Sequence, residues 1–194
     1  LTTDYVDIDH IQSRLNGQKK AAVQKDSTAA PDLKKSLEPV RGFEVPLNLN
    51  FDISAQKARF NAQDINGIRI KGFASGSALK LDVASAQDFM GAVASLKGRV
   101  DDLKTLSGVD LSFYGKTSNL KALMESLKMD TSKLPQSISS AEANISAKGK
   151  AEALNFDADI AALNGQLRAS GDMTGLLDTP SFNNLVVGAK HSTL

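Results

Sequence analysis

The chain has no cysteine and no tryptophan, and aromatic residues make up only 5% of its 194 positions. The lack of cysteine excludes disulfides and thiolate metal sites. A core must therefore be built mainly from Leu, Ile, Val, Ala and eight Phe. No apolar run approaches the roughly 18 to 20 residues that span a membrane, and no secretory signal pattern is present. Because the chain opens almost directly on a strand-like pattern, we expect it to be a fragment of a longer protein, with any membrane anchor outside it.

Positive and negative charges are almost balanced, with 23 basic and 22 acidic residues and a net charge of +1. A nucleic-acid interface needs a concentrated basic face. The composition therefore argues against nucleic acid as a partner.

A strict alternation of apolar and polar residues begins at Val45 and continues through Leu47, Leu49, Phe51 and Ile53. This pattern predicts a half-buried strand. Further alternating segments have the following apolar positions: Phe60; Ile68 and Ile70; Leu79, Leu81 and Val83; Leu111 and Phe113; Phe156 and Ile160. An Asn-Gly pair is the strongest short-range hairpin signal, so Asn66–Gly67 is predicted to be the turn between two of these strands.

One segment changes to a helical period. Leu120, Leu123, Met124 and Leu127 form one stripe, which predicts a helix near residues 118–129 with Ser118 as its N-cap. Such a stripe could bind a partner, but more often it covers one end or face of a sheet. For residues 89 to 100 a strand is favoured over a helix, since each of two internal glycines would cost a helix about 1 kcal/mol.

The predicted fold is mainly β: an antiparallel meander of about ten strands that forms a curved open sheet or groove, with one or two short amphipathic helices. Residues 1–17 are interpreted as the end of a preceding repeat. Residues 18–40 are polar, Ala-rich and aperiodic, which indicates a flexible linker or insertion. Residues 41–194 are predicted to be one β-groove segment.

Two acidic clusters contain residue types that could carry chemistry. Asp4, Asp7, Asp9 and His10 include metal-ligand types, but they lack a Gly-containing calcium loop. Asp157 and Asp159 would share one solvated strand face, where nothing separates their roles as acid and base. A solvated strand face is the simpler interpretation of both. We therefore predict no catalytic residue, metal ligand or cofactor, and a protein that is not an enzyme.

The apolar face itself is the most informative feature, because several of its candidates are small. These are Ala58, Ala62, Ala143, Ala147, Ala158 and Ala169. A two-sheet sandwich needs large side chains to fill the roughly 10 Å between its layers. A single sheet faced in this way leaves room for an acyl chain, of which each buried CH₂ contributes about 0.8 kcal/mol. The alternative is that the helix and the linker cover this face and keep it dry.

The candidates for contact with lipid are the apolar positions of the alternating segments. They are Val45, Leu47, Leu49, Phe51, Ile53, Phe60, Ile68, Ile70, Leu79, Leu81, Val83, Leu111, Phe113, Phe156 and Ile160.

Several segments together resemble the AsmA-like family of bacterial envelope proteins, which is related to the TamB-like proteins. Residues 42–86 resemble its leading strand, hairpin and following strand, and residues 108–129 with Leu134–Pro135 resemble its strand-helix unit. Residues 149–182, with Pro180 and Phe182, look like its succeeding hairpin and ending. Residues 4–15 look like its recurrent strand end.

The resemblance implies a bridge-type lipid carrier or outer-membrane maintenance protein. It implies a periplasmic location, an inner-membrane anchor through a segment outside these residues, phospholipid or another acyl lipid as the ligand, and envelope proteins as further partners. The alternative function is a scaffold for outer-membrane protein assembly that acts through sheet edges.

Overall fold

The computed structural model describes residues 1–8, 10, 41–42, 44–60, 63–89, 91–126, 131, 140–162, 164–177 and 179–191. Ten strands lie side by side in chain order and form one open sheet. The strands are β1 (Thr2–Asp7), β2 (Val45–Phe60), β3 (Gln63–Gly76), β4 (Ala78–Phe89), β5 (Ala92–Val100), β6 (Val109–Thr117), β7 (Ala141–Lys150), β8 (Ala153–Ala162), β9 (Gly165–Thr174) and β10 (Ser181–His191). A helix, α1 (Leu120–Ser126), follows β6. The predicted fold class is confirmed.

From β2 to β10 each strand is antiparallel to the next, as in the predicted meander. The edge strand β1 differs, because it runs parallel to β2, with Thr2 opposite Ser54 and Val6 opposite Ala58. A parallel pair requires a connection of a dozen or more residues. The intervening segment is long enough to supply it. The predicted linker at residues 18–40 lies outside the described residues.

The predicted turn at Asn66–Gly67 is wrong. Asn66 lies inside β3 and pairs with Lys57 of β2, and the pairing continues past Gly67. The two strands instead end and begin at Phe60 and Gln63, which pair with each other. Gly67 does have the left-handed conformation that the turn signal indicates, with a φ of 61°. That conformation belongs to a kink within the strand.

The kink keeps apolar residues on the same side of the sheet before and after Gly67. Ala55 pairs with Ile68, and Ala58 pairs with Ile65. The two pairs are three residues apart in each strand, so regular alternation would place them on opposite faces of the sheet. Cross-strand partners share a face. Ala55, Ala58 and Ile65 are all buried. The apolar side chains before and after the kink therefore lie on the same face of the sheet.

Helix α1 begins one residue later than predicted. The N-cap is Asn119, whose Oδ1 accepts a hydrogen bond from the Ala122 amide at 3.0 Å. The Asn119 amide in turn donates to Thr117 Oγ1 at 3.0 Å. Thr117, at the end of β6, therefore fixes the position of the cap, which explains why the preceding Ser118 does not take that role.

A small closed core lies at the end of the sheet where the connections after β3, β5, β7 and β9 meet. Its buried residues are Val100, Leu103, Leu106, Val109, Ala151 and Leu154, here called the end core. Backbone hydrogen bonds join these connections: the Leu103 amide donates to Ser77 O, and the Ala151 amide donates to Leu106 O. The end core thus fills one margin of the sheet.

Candidate functional site

One face of the sheet carries a continuous row of apolar residues from β2 to β10. Each is the direct cross-strand partner of the next, so all share one face. This central row consists of Ile53, Ile70, Ala84, Leu96, Phe113, Ile145, Ala158, Ala169 and Val187. The side of the sheet that carries it is called the apolar face.

The large side chains of the central row are partly exposed. The exposed fraction is 36% for Ile53 and Ile70, 38% for Phe113, 37% for Ile145 and 57% for Val187. The margins of the same face differ, because Val100 and Val109 are buried in the end core at one margin, and Ala58, Ile65 and Ala92 are buried at the other. The exposed part of the apolar face therefore runs across the strands along the middle of the sheet.

The rows on both sides of the central row are also free of charge among the described residues. One contains Phe51, Gly72, Leu81, Gly98, Leu111, Ala147, Phe156 and Gly171. The other contains Ala55, Ile68, Ala86, Ala94, Gly115, Ala143, Ile160, Leu167 and Ala189. Alanine and glycine occupy ten of the seventeen positions in these two rows, so few large side chains project from this surface.

Phenylalanine rings cover glycines on this face. A Cβ atom added to Gly72 would lie 2.8 Å from Phe51 Cζ, and one added to Gly115 would lie 3.0 Å from Phe113 Cζ. The ring of Phe156 contacts the ring of Phe182 edge-on, with centroids 5.7 Å apart. Because these rings lie over glycines, they extend along the sheet and do not project away from it. The space above the strands therefore stays available.

The opposite face is polar and carries cross-strand ion pairs. They are Lys57–Asp64, Arg69–Asp52, Lys116–Glu142, Lys148–Asp110 and Arg168–Asp159. The Arg69 guanidinium, which donates to Asp52, lowers the pKa of that carboxyl. The Gln166 amide, followed by Arg168, does the same to the pKa of Asp159. The two faces of the sheet thus differ sharply in polarity.

Helix α1 covers part of the second margin of the apolar face, as its stripe predicts. Leu120 and Leu123 border a cavity of about 270 Å³ together with sheet residues that include Phe89, Ala94 and Phe113. Leu127 lies outside the described residues. The cavity adjoins the central row at Phe113. The helix therefore borders the exposed central row at one side and does not cover it along its length.

The sheet brings most of the predicted lipid-facing residues together on the apolar face, with three exceptions. Val83 pairs with Lys71 and so lies on the polar face, because a register shift beside it displaces the alternation by one residue. Leu47 is 75% exposed in an irregular part of β2. Phe60 ends β2, and its side chain lies outside what the structure describes.

The remaining predicted residues all lie on the apolar face. They are Val45, Leu49, Phe51, Ile53, Ile68, Ile70, Leu79, Leu81, Leu111, Phe113, Phe156 and Ile160.

Sequence reasoning missed Leu96, Ile145 and Leu167 as members of the apolar face. Ile145 follows Ala141 and Ala143 in strict alternation, so the signal for it was present. Leu103 and Leu106 of the end core carry no such signal, because their connection has no period.

The acidic candidates lie away from the apolar face or at its edge. Asp157 and Asp159 border a depression of about 420 Å³ on the polar face. Asp159 accepts hydrogen bonds from Gln166 and Arg168. Its lowered pKa keeps it ionised at neutral pH, which does not suit a general acid. Asp7 accepts a bond from the His10 amide at 2.8 Å.

Neither a cluster of three metal-ligating side chains nor a helix long and apolar enough to cross a membrane occurs in the described part of the chain.

Comparisons with protein-family models, with curated proteins and with solved structures give no match to this chain.

Proposed function

We propose that the chain is a non-enzymatic lipid-binding segment that holds acyl chains along the central row of its apolar face. The observation that carries this proposal is the partial exposure of Ile53, Ile70, Phe113 and Ile145 in one uncharged row. Soluble proteins rarely expose contiguous apolar surface unless it binds something.

The dimensions suit an acyl ligand. The central row crosses nine strands, from β2 to β10. Eight spacings of about 4.8 Å give a length of roughly 38 Å. One leaflet of a bilayer has a hydrocarbon thickness of about 15 Å, half of the core. The row is therefore longer than one acyl chain, as a surface along which lipid moves requires.

The wider role follows from the resemblance to the AsmA-like family. We propose that the segment belongs to a periplasmic protein that transports phospholipid or maintains the outer membrane, and that is anchored in the inner membrane by another segment. An open sheet with one uncharged apolar face is compatible with a section of a lipid-conducting groove.

A scaffold for outer-membrane protein assembly is the second candidate. It would act through a sheet edge; β10 is the last of the described strands, and all its residues are exposed. The two functions need different residues. Leu49→Asp and Leu81→Asp alter the apolar face without touching β10, so they should abolish lipid binding and leave a pull-down through the edge intact.

Lipid extraction followed by mass spectrometry tests the leading proposal. We expect phospholipid to co-purify with the chain, and the delipidated chain to take up a fluorescent acyl lipid. Ile70→Asp and Ile145→Asp should lower uptake at least tenfold, because a carboxylate would have to be desolvated beneath the acyl chain.

Ser85→Asp is the matched control, since Ser85 neighbours the central row in sequence but pairs with Arg69 on the polar face. It should take up lipid like the unmodified chain. No co-purifying lipid together with no uptake, or equal uptake by folded Ile70→Asp and Ser85→Asp, would contradict the proposal.

A further inference from the structure

The cavity of about 270 Å³ between helix α1 and the apolar face is here called the helix pocket. Leu120 and Leu123 border it from the helix, and both stay half-buried. Its floor contains Ala94, Gly115 and Ala143, which are direct cross-strand partners on β5, β6 and β7. Alanine and glycine reach only a short way above the strands. The helix leucines therefore lie over this part of the sheet without filling the space beneath them.

Every polar side chain that borders the helix pocket, among the described residues, already has a partner. The Thr117 hydroxyl donates to Gly91 O at 3.0 Å and accepts a hydrogen bond from the Asn119 amide, also at 3.0 Å. The charged groups of Lys116 and Glu142 pair with each other at 3.3 Å. A buried water molecule or a lipid headgroup would need polar partners of its own. The helix pocket therefore suits a purely hydrocarbon group.

The helix pocket is continuous with the central row through Phe113, which belongs to both. The ring extends towards the pocket floor, since a Cβ added to Gly115 would lie 3.0 Å from its Cζ atom. The floor residues belong to the uncharged row beside the central row. Hydrocarbon that lies along the central row can therefore reach the helix pocket without passing a charged side chain of the described residues on this face.

We propose that the helix pocket holds the methyl end of an acyl chain, while the rest of that chain lies along the central row. This inference rests on the function proposed above and adds the orientation of the lipid, with its tail towards α1 and its headgroup away from it. The pocket should hold hydrocarbon more tightly than the open row does, because a group between α1 and the sheet is removed from water on two sides.

The size of the helix pocket suits part of an acyl chain. An apolar cavity of about 150 Å³ binds benzene. In proportion, the volume of about 270 Å³ has room for roughly ten carbon atoms. A phospholipid acyl chain is longer than this, so its remaining length has to lie outside the pocket, where the central row begins.

Two photoreactive phospholipids test the orientation. One carries the reactive group on the terminal carbon of its acyl chain, and the other carries it on the carbon beside the headgroup ester. We expect the terminal group to label Phe89, Leu120 or Leu123, and the group near the headgroup to label the central row but not α1. Mass spectrometry of proteolytic peptides locates both labels. Equal labelling of α1 by the two probes would overturn the proposal.

Ala94→Leu tests the helix pocket by filling its floor. This variant should take up a phospholipid with a fluorescent headgroup at least tenfold more weakly, which corresponds to the exclusion of about two methylene groups from the pocket. Ala169→Leu is the matched control, because it adds the same atoms to the central row on β9, away from α1. Its affinity should stay within about twofold of the unmodified chain.

Equal lipid affinities of folded Ala94→Leu and Ala169→Leu, or a terminal label found only along the central row, would overturn the helix pocket and leave the proposed function standing. No uptake and no label with either phospholipid would overturn both. Circular dichroism shows whether each variant is folded. If Ala94→Leu does not fold, the position of the terminal label on the unmodified chain decides between these outcomes.

Discussion

At the residue scale, Gly72 shows how closely the strands of the apolar face approach their neighbours. A Cβ at this position would lie 2.1 Å from the carbonyl oxygen of Lys80 and 2.8 Å from Phe51 Cζ. The first contact is with backbone, which cannot move aside as a side chain does. Glycine is therefore required by space at this position, and the ring above it depends on the same space.

Gly72→Ala should lower the free energy of unfolding by about 1 to 3 kcal/mol, because the strands must separate to admit the methyl group. Gly188→Ala is the control, since it meets open space, and should change the free energy of unfolding by less than about 0.5 kcal/mol. Urea unfolding at low protein concentration measures both. Equal effects of the two substitutions would show that the close approach at Gly72 is absent.

Asp102 organises the connection that carries the end core. Its carboxylate accepts hydrogen bonds from the Lys104 amide at 2.8 Å and the Thr105 hydroxyl at 2.9 Å. The Lys104 amide, followed by the hydroxyls of Ser77 and Thr105, lowers the pKa of this carboxyl from its ordinary value of 3.8. A carboxyl with a lowered pKa in the folded state stabilises the fold above its unfolded pKa, and this contribution is lost as the pH falls through the folded pKa.

Asp102→Ala should therefore destabilise the chain at pH 6, and the difference from the unmodified chain should narrow as the pH falls below about 4. Urea midpoints measured from pH 6 to pH 2 give this difference. A difference that stays constant over the whole range would mean that the ionised form of Asp102 is not what holds the connection.

At the element scale, the start of α1 depends on Asn119, because its side chain satisfies the Ala122 amide. Asn119→Ala should lower the free energy of unfolding by about 1 kcal/mol. Ser118→Ala removes the hydroxyl one residue earlier and should change it by less than about 0.5 kcal/mol. Thermal unfolding of the two variants distinguishes the two N-caps. A larger loss of unfolding free energy for Ser118→Ala would show that Ser118 is the N-cap, as the sequence predicts.

Elements with a clear period were predictable from the sequence, and their connections were less so. The alternation of apolar and polar residues predicts β2 and β6, because each of these strands has one face in contact with apolar neighbours. The Asn66–Gly67 signal was misleading, because a residue with positive φ serves a kink as well as a turn. Val83 was assigned to the apolar face for a similar reason, since the register shift beside it appears only when β3 and β4 are paired.

At the scale of the whole molecule, the sequence could not decide whether the apolar face is open or covered. The outcome depends on where the non-periodic segments pack. Leu103 and Leu106 turn into the end core at one margin, and α1 lies at the other. Between them, among the described residues, Ile70 and Ile145 remain partly exposed. Because such packing is tertiary, no local pattern encodes it.

Photo-cross-linking with a phospholipid that carries a reactive group on its acyl chain tests lipid binding by the central row most directly. Mass spectrometry of the labelled chain should locate the label on the strands of the apolar face, at or beside Ile53, Ile70, Phe113 and Ile145, and excess unlabelled phospholipid should compete with it. Label confined to polar-face residues or to β10, or no label above a denatured control, would contradict lipid binding along this row.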